Sequence, residues 1–445
     1  MDIISHRFDT CLNLENVCRI ITVRPEPVPS LENLHPLIAA EVFSSTLKEI
    51  FIPNQFTLNF INEMVHRAYL HHCHIFSSEL DYISRIYTPP EIEVSPVCLT
   101  GLAGIGKSRT LAALRKVMPP PVAFHTSHHV GEVTLTSHWY ASGRGKVSGK
   151  SLLAEFMFAD ADRPVGDLSK FLLEARRRAY ALAVSLVMLD ETQHINTGLG
   201  SAKITEIILN LSSIGPPAVF VGNYSLLHKL LRRNSEDKQR LLSDPRIMLP
   251  DDPHSKDWHD YIQECVRVSK GAIRPGTVDF AGEVYRCTFG IKRFVIHLLK
   301  QAYIEARKIG RHWIEFSDLT RAYCSAAYTS NASEVEELHR HSLNGQRQKE
   351  RLDLYCPFKL PAAHLSNVVK FVTTERDKRV ISKVFDSALN EKERLAQKQT
   401  EVPGTVESKK RPPRAVTEKL SDVEQAKAFF DYIDNSGEPK KPKKR

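Results

Sequence analysis

The stretch GLAGIGKS, residues 101–108, decides the fold of this 445-residue chain. It matches the pattern G-x-x-x-x-G-K-[ST] at every fixed position. The short apolar run PVCLT (96–100) comes before it, and a segment with apolar residues at helical spacing follows. Glycines permit a tight turn whose backbone N–H groups point at phosphate oxygens, and the N-terminus of a helix favours negative charge. The stretch therefore predicts a phosphate-binding loop between a strand and a helix.

The residues of this loop have separate predicted tasks around a bound nucleotide. Lys107 is expected to reach the β- and γ-phosphates of ATP, and the Ser108 hydroxyl is expected to ligate Mg²⁺. ATP and Mg²⁺ are thus the predicted cofactors. The residues predicted to contact the nucleotide are Gly101, Gly104, Ile105, Gly106, Lys107, Ser108 and Arg109.

A second apolar run ends in two adjacent acids. AVSLVMLD (183–190) has the composition of a fully buried strand, with Asp190 at its end and Glu191 directly after it. We predict that Asp190 holds the metal together with Ser108. Glu191 is then placed to orient and deprotonate the attacking water, which favours hydrolysis over storage of the nucleotide. A solvated acid at a strand end is the alternative.

Two later polar residues are candidate sensors of the γ-phosphate. Asn223 ends the next apolar run, AVFVGN (218–223), where its amide would lie between the metal acid and the γ-phosphate. An ordinary turn asparagine is the alternative. Arg293, at the end of the segment 290–293 that opens a later helix, is placed to fold back onto the γ-phosphate. A solvated cation at a helix start is the alternative for this residue.

A ring-forming ATPase also needs an arginine that reaches the γ-phosphate of the neighbouring subunit, because negative charge develops there in the transition state. The arginine-rich segment 228–246 lies between the two sensor candidates. Its first candidates are Arg233 and Arg240, and Arg232 and Arg246 are further ones.

The pattern along the chain predicts an α/β fold class with a parallel sheet. Strand and helix signals alternate from about residue 94 and give way to helices after about residue 251. VTLTSHWY (133–140) is predicted as one strand, and a helix with a cap at Ser317 is predicted later. The predicted parts are a helical N-terminal region (1–93), an ATPase core (94–251), a small helical lid (252–330), a helical extension (331–390) and a basic, partly disordered tail (391–445) with an amphipathic helix at 416–434.

Composition excludes several other classes of protein. A hydrophobic content of 42% and a charged content of 25% are ordinary for a soluble globular protein, and no run of 18 apolar residues predicts a membrane span. The N-terminal sequence MDIISHRFDT lacks the features of a signal peptide. The eight cysteines form no CxxC pair, which disfavours a disulfide scaffold or zinc ribbon. A cytoplasmic protein is expected.

Two further features, the stretch HHCH and the net charge, bear on metal binding and on nucleic-acid binding. HHCH (71–74) is not predicted to bind a metal, because consecutive residues on a helix point to different sides. The net charge of +9 is compatible with nucleic-acid binding, but much of the excess lies in the stretches SKKRPPR and GEPKKPKKR near the C-terminus. The charge supports a DNA hypothesis without establishing it.

Several of these stretches together resemble the AAA+ transposition regulators of the TniB/TnsC type, which belong to heteromeric-transposase, Tn-seven-like elements. The resemblance rests on GLAGIGKS, VMLDETQHI, VGNYSLL and the later RRN, KQR and DPR stretches. The DE-x-QH pattern at 190–194 is the most specific part of it. IPNQFTLNFINEMVHRAYL (52–70) is similar to the helical region that precedes the core in that family. The resemblance covers roughly residues 50 to 325.

The resemblance implies a homo-oligomer, ring or filament, that assembles on double-stranded DNA with ATP and disassembles on hydrolysis. It would link a target-selection protein to the transposase subunits, in the bacterial cytoplasm and on the nucleoid when DNA-bound, with no membrane partner. The glycine-rich loop ASGRGKVSGK (141–150) matches the family's DNA-contacting loop, with Arg144, Lys146 and Lys150 as candidates. A solvated mobile loop is the alternative.

Two other functions share the same ATPase core. The first is a replication-type helicase loader or initiator, which the lack of an evident helix-turn-helix pattern after the lid disfavours. The second is a signalling NTPase whose basic tails bind a protein partner only.

Overall fold

The structure of the protein is a computed structural model that describes residues 4, 6–125, 132–145, 148–157, 167–195, 200–243, 245–276, 279–345, 347–348, 350–360 and 362–388. Residues 362–364 and 382–388 are described by their backbone alone. Residues 1–380 form one compact unit and residues 381–445 a second one, and the site lies in the first. The predicted amphipathic helix at 416–434 and Lys146 lie outside the described residues.

The first half of the chain begins with helices and continues into alternating strands and helices. In chain order its elements are α1 (Leu14–Ile21), α2 (Pro36–Glu49), α3 (Gln55–Ile75), α4 (Glu79–Tyr87), β1 (Val97–Gly101), α5 (Lys107–Val117), β2 (Val122–His125), β3 (Glu132–Leu135), β4 (His138–Ser142), α6 (Gly149–Met157), α7 (Leu168–Ala181), β5 (Leu186–Asp190), α8 (Gly200–Ser212) and β6 (Ala218–Asn223).

The second half is almost entirely helical. Its elements are α9 (Tyr224–Leu230), α10 (Ser235–Leu242), β7 (Arg246–Met248), α11 (Lys256–Val268), α12 (Phe280–Thr288), α13 (Lys292–Lys308), α14 (Phe316–Tyr323), α15 (Thr329–Asn344) and α16 (Ala362–Ala388). Short 3₁₀ turns lie at Asp9–Cys11, Thr192–His194, Ala326–Tyr328 and Leu352–Leu354. Within the described residues, no helix has the length and apolar content that a membrane span requires.

Five strands form a parallel sheet in the order β4–β5–β6–β1–β7. Its central strands are buried on both faces. Met188 and Val221 pack with α1, α3 and α5, whereas the alternate residues Leu189 and Phe220 pack with α6 to α9. The predicted α/β fold class with a parallel sheet is confirmed.

The segment predicted as one strand at 133–140 is two strands, so that prediction was wrong. β3 pairs antiparallel with β2 in a separate ribbon, and β4 joins the main sheet beside β5. Between them the Thr136 N–H donates to the Leu182 carbonyl (2.7 Å) and the Ser137 hydroxyl to the Pro119 carbonyl (2.5 Å). These hydrogen bonds give the polar groups at the break between β3 and β4 partners outside the sheet. An apolar sequence pattern alone does not reveal them.

The N-terminal helices divide between the core and the lid. α1 and α3 pack against α5, whereas α2 packs against α13 of the lid, where the rings of Phe43 and Tyr303 are 5.6 Å apart. The connecting segment is tied to the lid by Arg307, which donates to the carbonyls of Leu31 (3.0 Å) and Leu34 (2.9 Å). The N-terminal region therefore contacts both the core and the lid.

The lid comprises α11 to α14, and the extension that follows packs against it. α14 begins at Phe316, and its cap is Glu315 in a capping box with Asp318, so the predicted cap at Ser317 was wrong by two residues. The extension reaches the lid through Phe371 of α16, whose ring lies 5.1 Å from that of Tyr285.

Candidate nucleotide site

The phosphate loop lies between β1 and α5, as its sequence predicts. Gly104 (φ +81°) and Gly106 (φ +125°) adopt left-handed backbone conformations that side chains with a Cβ rarely tolerate. The Lys107 ammonium bends back over the loop and donates to the carbonyls of Gly101 (2.9 Å) and Leu102 (2.8 Å). A cation is thus placed inside the turn, where an incoming phosphate would lie.

Lys107 is only 9% exposed, and its charge is correspondingly costly. Burial lowers the pKa of Lys107 to about 8, although the nearby Asp190 carboxylate opposes this shift. Arg293 lowers the pKa further because it is a second positive charge nearby. An anion at this site would therefore be stabilised by the Lys107 ammonium and by the nearby positive charge of Arg293.

ATP binding is expected to weaken as the pH rises through about 8. The lysine of the free protein begins to lose its proton there, and phosphate oxygens beside it would raise its pKa again, so binding must take up a proton. Calorimetry at about pH 8.5, in two buffers of different ionisation enthalpy, should report uptake approaching one proton. Lys107→Arg should lose this uptake because a guanidinium stays protonated. Proton release on binding would contradict the assignment.

Asp190 and Ser108 meet next to the loop because β5 ends beside it. Asp190 is 3% exposed, its carboxylate accepts a hydrogen bond from the Ser108 hydroxyl, and its Oδ1 accepts one from the Glu191 N–H (2.7 Å). Burial raises the pKa of the Asp190 carboxyl, and the Ser108 hydrogen bond opposes that shift. The Asp190–Ser108 pair therefore offers one hydroxyl oxygen and one carboxylate oxygen as possible metal ligands.

This donor set fits Mg²⁺, which takes hard oxygen ligands, keeps several waters and uses phosphate oxygens for the rest of its shell. In the described part of the chain, no group of three or more His, Cys, Asp or Glu side chains is arranged to hold a metal by itself. A metal at Asp190 and Ser108 would depend on the nucleotide for further ligands. That these two residues hold a metal stays a prediction.

Glu191 has a left-handed backbone (φ +48°), and its side chain turns towards the loop that follows β4. There the Arg144 Nε lies 2.8 Å from one carboxylate oxygen and its Nη2 lies 3.2 Å from the other. The sheet register causes this approach. Ser142 pairs with Asp190, and the Gly143 N–H donates to the Asp190 carbonyl (2.8 Å). The candidate base is thus paired with a candidate DNA-contact residue, which the sequence pattern does not reveal.

Asn223 lies at the end of β6, in register with Gly101 of β1. Its side-chain oxygen caps α9, accepting from the Leu226 N–H (3.0 Å) and the Ser225 hydroxyl (2.8 Å). These two hydrogen bonds fix the position of the side-chain amide. Asn223 therefore has two tasks at once, because it ends a strand of the site and starts the following helix.

Arg293 brings the lid to the loop. Its N–H donates to the Gly104 carbonyl (3.2 Å), and a Cβ at Gly104 would come 2.8 Å from the Cβ of Arg293. The lid and the phosphate loop are in contact, and the Arg293 side chain is exposed. The role of Arg293 as the second sensor stays a prediction.

The remaining candidates are the arginines predicted to reach a neighbouring subunit and the DNA-contact candidate Lys150, and they lie on several other elements. Arg233 pairs with Asp237 (3.0 Å), and Arg240 pairs with Glu93 (3.1 Å) and Glu236 (3.2 Å). Arg232 follows α9, whereas Arg246 lies in β7 and pairs with Glu63 of α3 (2.7 Å). Lys150 lies in the first turn of α6. The choice of an arginine that reaches a neighbouring subunit stays a prediction.

Sequence reasoning missed the segment before α3 as part of the site. Arg109 donates to the Glu49 carbonyl (2.9 Å), and the Asn54 amide donates to Asp251 (2.5 Å) at the junction of core and lid. Asp251 in turn lies 3.5 Å from the ammonium of Lys292, the residue before Arg293. The only sequence signal was the N-cap pattern of IPNQ (52–55).

The segment before α3 also has apolar contacts with the phosphate loop and the lid. Ile50, Leu102 and Ile291 belong to one buried cluster that extends from the N-terminal segment through the loop into the lid. The cluster therefore packs the N-terminal segment, the phosphate loop and the lid against one another.

No protein-family model and no curated protein matches the chain. Among solved structures, the chain is similar to Cdc6p from Pyrobaculum aerophilum (14% identity, 77% of this chain and 88% of that chain, TM-score 0.41). It is also similar to the ORC2 protein of Aeropyrum pernix, solved as ADPNP–ADP complexes (13% identity, 66% of this chain and 82% of that chain, TM-score 0.36). A third similar structure is RuvB of Thermotoga maritima, a Holliday junction branch migration motor (12% identity, 60% of this chain and 73% of that chain, TM-score 0.31).

Proposed function

We propose that this protein is an AAA+ ATPase that regulates transposition by assembling on double-stranded DNA with ATP and leaving it after hydrolysis. The observation that carries the proposal is the pairing of Glu191 with Arg144. It places a candidate base for hydrolysis in contact with a candidate DNA-binding loop. Nucleotide chemistry and DNA contact would thus share one ion pair.

Hydrolysis is supported by how the polar side chains are arranged around the loop. Lys107 lies within the turn, Ser108 and Asp190 offer oxygen ligands for Mg²⁺, and Glu191 is the next residue along the chain. Mg²⁺ would stabilise the charge on the phosphates. Glu191, once released from Arg144, would accept a proton from the attacking water.

DNA binding is supported by the charge and by the position of Arg144. The chain carries a net charge of +9, and the Arg144 side chain is 71% exposed, so a phosphodiester reaches it without rearrangement of the core. The transposase subunits, the target-selection protein, the oligomer and the bacterial cytoplasm rest on the TniB/TnsC resemblance and belong to the same proposal.

The test is assembly on duplex DNA. Electron microscopy of the full chain with Mg²⁺ and a non-hydrolysable ATP analogue should show rings or filaments on DNA, which should be absent with ADP. Titrating salt should weaken binding steeply, because phosphate contacts release counterions. Nucleotide binding without any DNA association would favour a signalling NTPase instead.

Arg144→Ala is expected to raise the DNA-free ATPase rate by roughly two- to fivefold. The ion pair is half solvent-exposed, so its loss costs about 1 kcal/mol or less, but it holds Glu191 away from the water. The same variant should lose most of the stimulation by DNA. Arg177→Ala, an exposed arginine on α7, is the matched control in a steady-state ATPase assay. A lower DNA-free rate in Arg144→Ala would mean that Arg144 assists Glu191 instead.

A further inference from the structure

The helix α9 connects Asn223 to the C-terminal extension. It has seven residues, it begins directly after Asn223, and the Asn223 side chain caps it. Leu227 and Leu230 on one side are buried in the cluster that covers the sheet. Tyr224 instead belongs to the cluster shared by the lid and the extension. A shift of α9 on the side of Tyr224 would therefore also move Asn223, whose side chain caps the helix.

The segment Leu352–Phe358 of the extension holds that side of α9 by three contacts. The His228 Nε2 donates to the Tyr355 carbonyl (3.0 Å), and the Tyr224 hydroxyl is hydrogen-bonded to the Cys356 thiol. Phe358 packs against both clusters at once. A hydrogen bond, a buried hydroxyl–thiol contact and an aromatic ring thus fix the helix in place.

On its other side the same segment is anchored to α15 of the extension. The Tyr355 hydroxyl donates to Glu337 of α15, and its ring lies 4.6 Å from that of His341. Further along, Asn367 donates to Asp252 (2.7 Å), just after the last strand of the core. The extension therefore contacts the lid, the junction and α9 together, at positions more than a hundred residues from Asn223.

We infer that the segment Leu352–Phe358 positions Asn223 towards the γ-phosphate through α9, with His228 as the main positioning residue. This inference rests on the nucleotide part of the proposed function and assigns a task to a segment outside the transposition-regulator resemblance. By reciprocity, a nucleotide that engages Asn223 fixes α9 and tightens its contact with the extension.

A double-mutant cycle tests the positioning role. His228→Ala should lower kcat for ATP by roughly three- to tenfold, since it removes one hydrogen bond, with KM changed by less than about twofold because the phosphate loop is untouched. His228→Gln keeps a donor and should restore most of kcat. In an Asn223→Ala background, His228→Ala should have almost no further effect. An equal loss in both backgrounds, or no loss in either, overturns the inference.

Lys359→Ala is the control for the extension itself, because Lys359 is exposed beside the same segment. Its kcat and KM should match those of the wild type. A loss equal to that of His228→Ala would mean that general damage to the extension, not the α9 contact, lowers the rate.

Alkylation of Cys356 provides a second readout that needs no hydrolysis. The Cys356 thiol is 8% exposed against Tyr224, so iodoacetamide reaches it only when the segment moves away from α9. A non-hydrolysable ATP analogue with Mg²⁺ should slow its modification several-fold in peptide mass spectra, relative to the exposed Cys324. A rate independent of the analogue overturns the inference. Failure of DNA binding or of ATP hydrolysis would instead overturn the proposed function and leave this readout standing.

Discussion

Lys107→Ala is expected to reduce ATP affinity by roughly 100-fold or more and to abolish assembly on DNA. The lysine is the buried cation of the loop, and charge-assisted contacts to phosphate in a site that excludes water are among the strongest polar interactions. Its removal also leaves the carbonyls of Gly101 and Leu102 without the donor that they now share. Fluorescent-nucleotide titration and DNA co-sedimentation measure the two effects.

The matched control is Lys116→Ala, which removes an exposed lysine from the last turn of the same helix. It should bind ATP and DNA as the wild type does. ATP-dependent assembly that survives in Lys107→Ala would remove the phosphate loop from the mechanism.

Glu191→Gln is expected to lower kcat by about 10²- to 10⁴-fold, the usual contribution of a general base, while ATP binding is retained. The amide has the same shape as the carboxylate, so the Asp190–Ser108 pair and the Lys107 contacts should persist. The protein should therefore remain on DNA with ATP. Single-turnover hydrolysis and the rate of dissociation from DNA measure the two consequences.

Glu174→Gln on α7, a partly exposed glutamate whose carboxylate lies 3.7 Å from Arg178, controls for the loss of one negative charge. It should hydrolyse ATP normally and dissociate from DNA at the wild-type rate. Rapid turnover in Glu191→Gln would show that another group activates the water.

The sequence predicted the parts of the site that depend on local pattern. The loop, the end of β5 at Asp190 and the end of β6 at Asn223 are each bounded by buried apolar strands, and parallel strands bring their carboxyl ends to one edge. Those positions follow from strand composition and the glycine pattern alone. The α/β fold class followed in the same way.

Contacts between distant segments were not predictable by this route. The Arg144–Glu191 pair depends on β4 lying beside β5, and the split of 133–140 into two strands hides that register in the sequence. The contact of His228 with the Tyr355 carbonyl joins residues 127 positions apart. A backbone carbonyl carries no sequence signature, so its partner cannot be found from residue types.

The contact between Gly104 and Arg293 bears on how fast nucleotide can enter. With the Arg293 N–H bonded to the Gly104 carbonyl and no room for even a methyl group between them, the lid closes directly over the turn that would receive the phosphates. A nucleotide must wait for this contact to open, so its association rate constant should fall below the range for a freely accessible cleft. The same closure would retain a bound nucleotide. The lifetime of each bound state would then be set by the rate of lid opening.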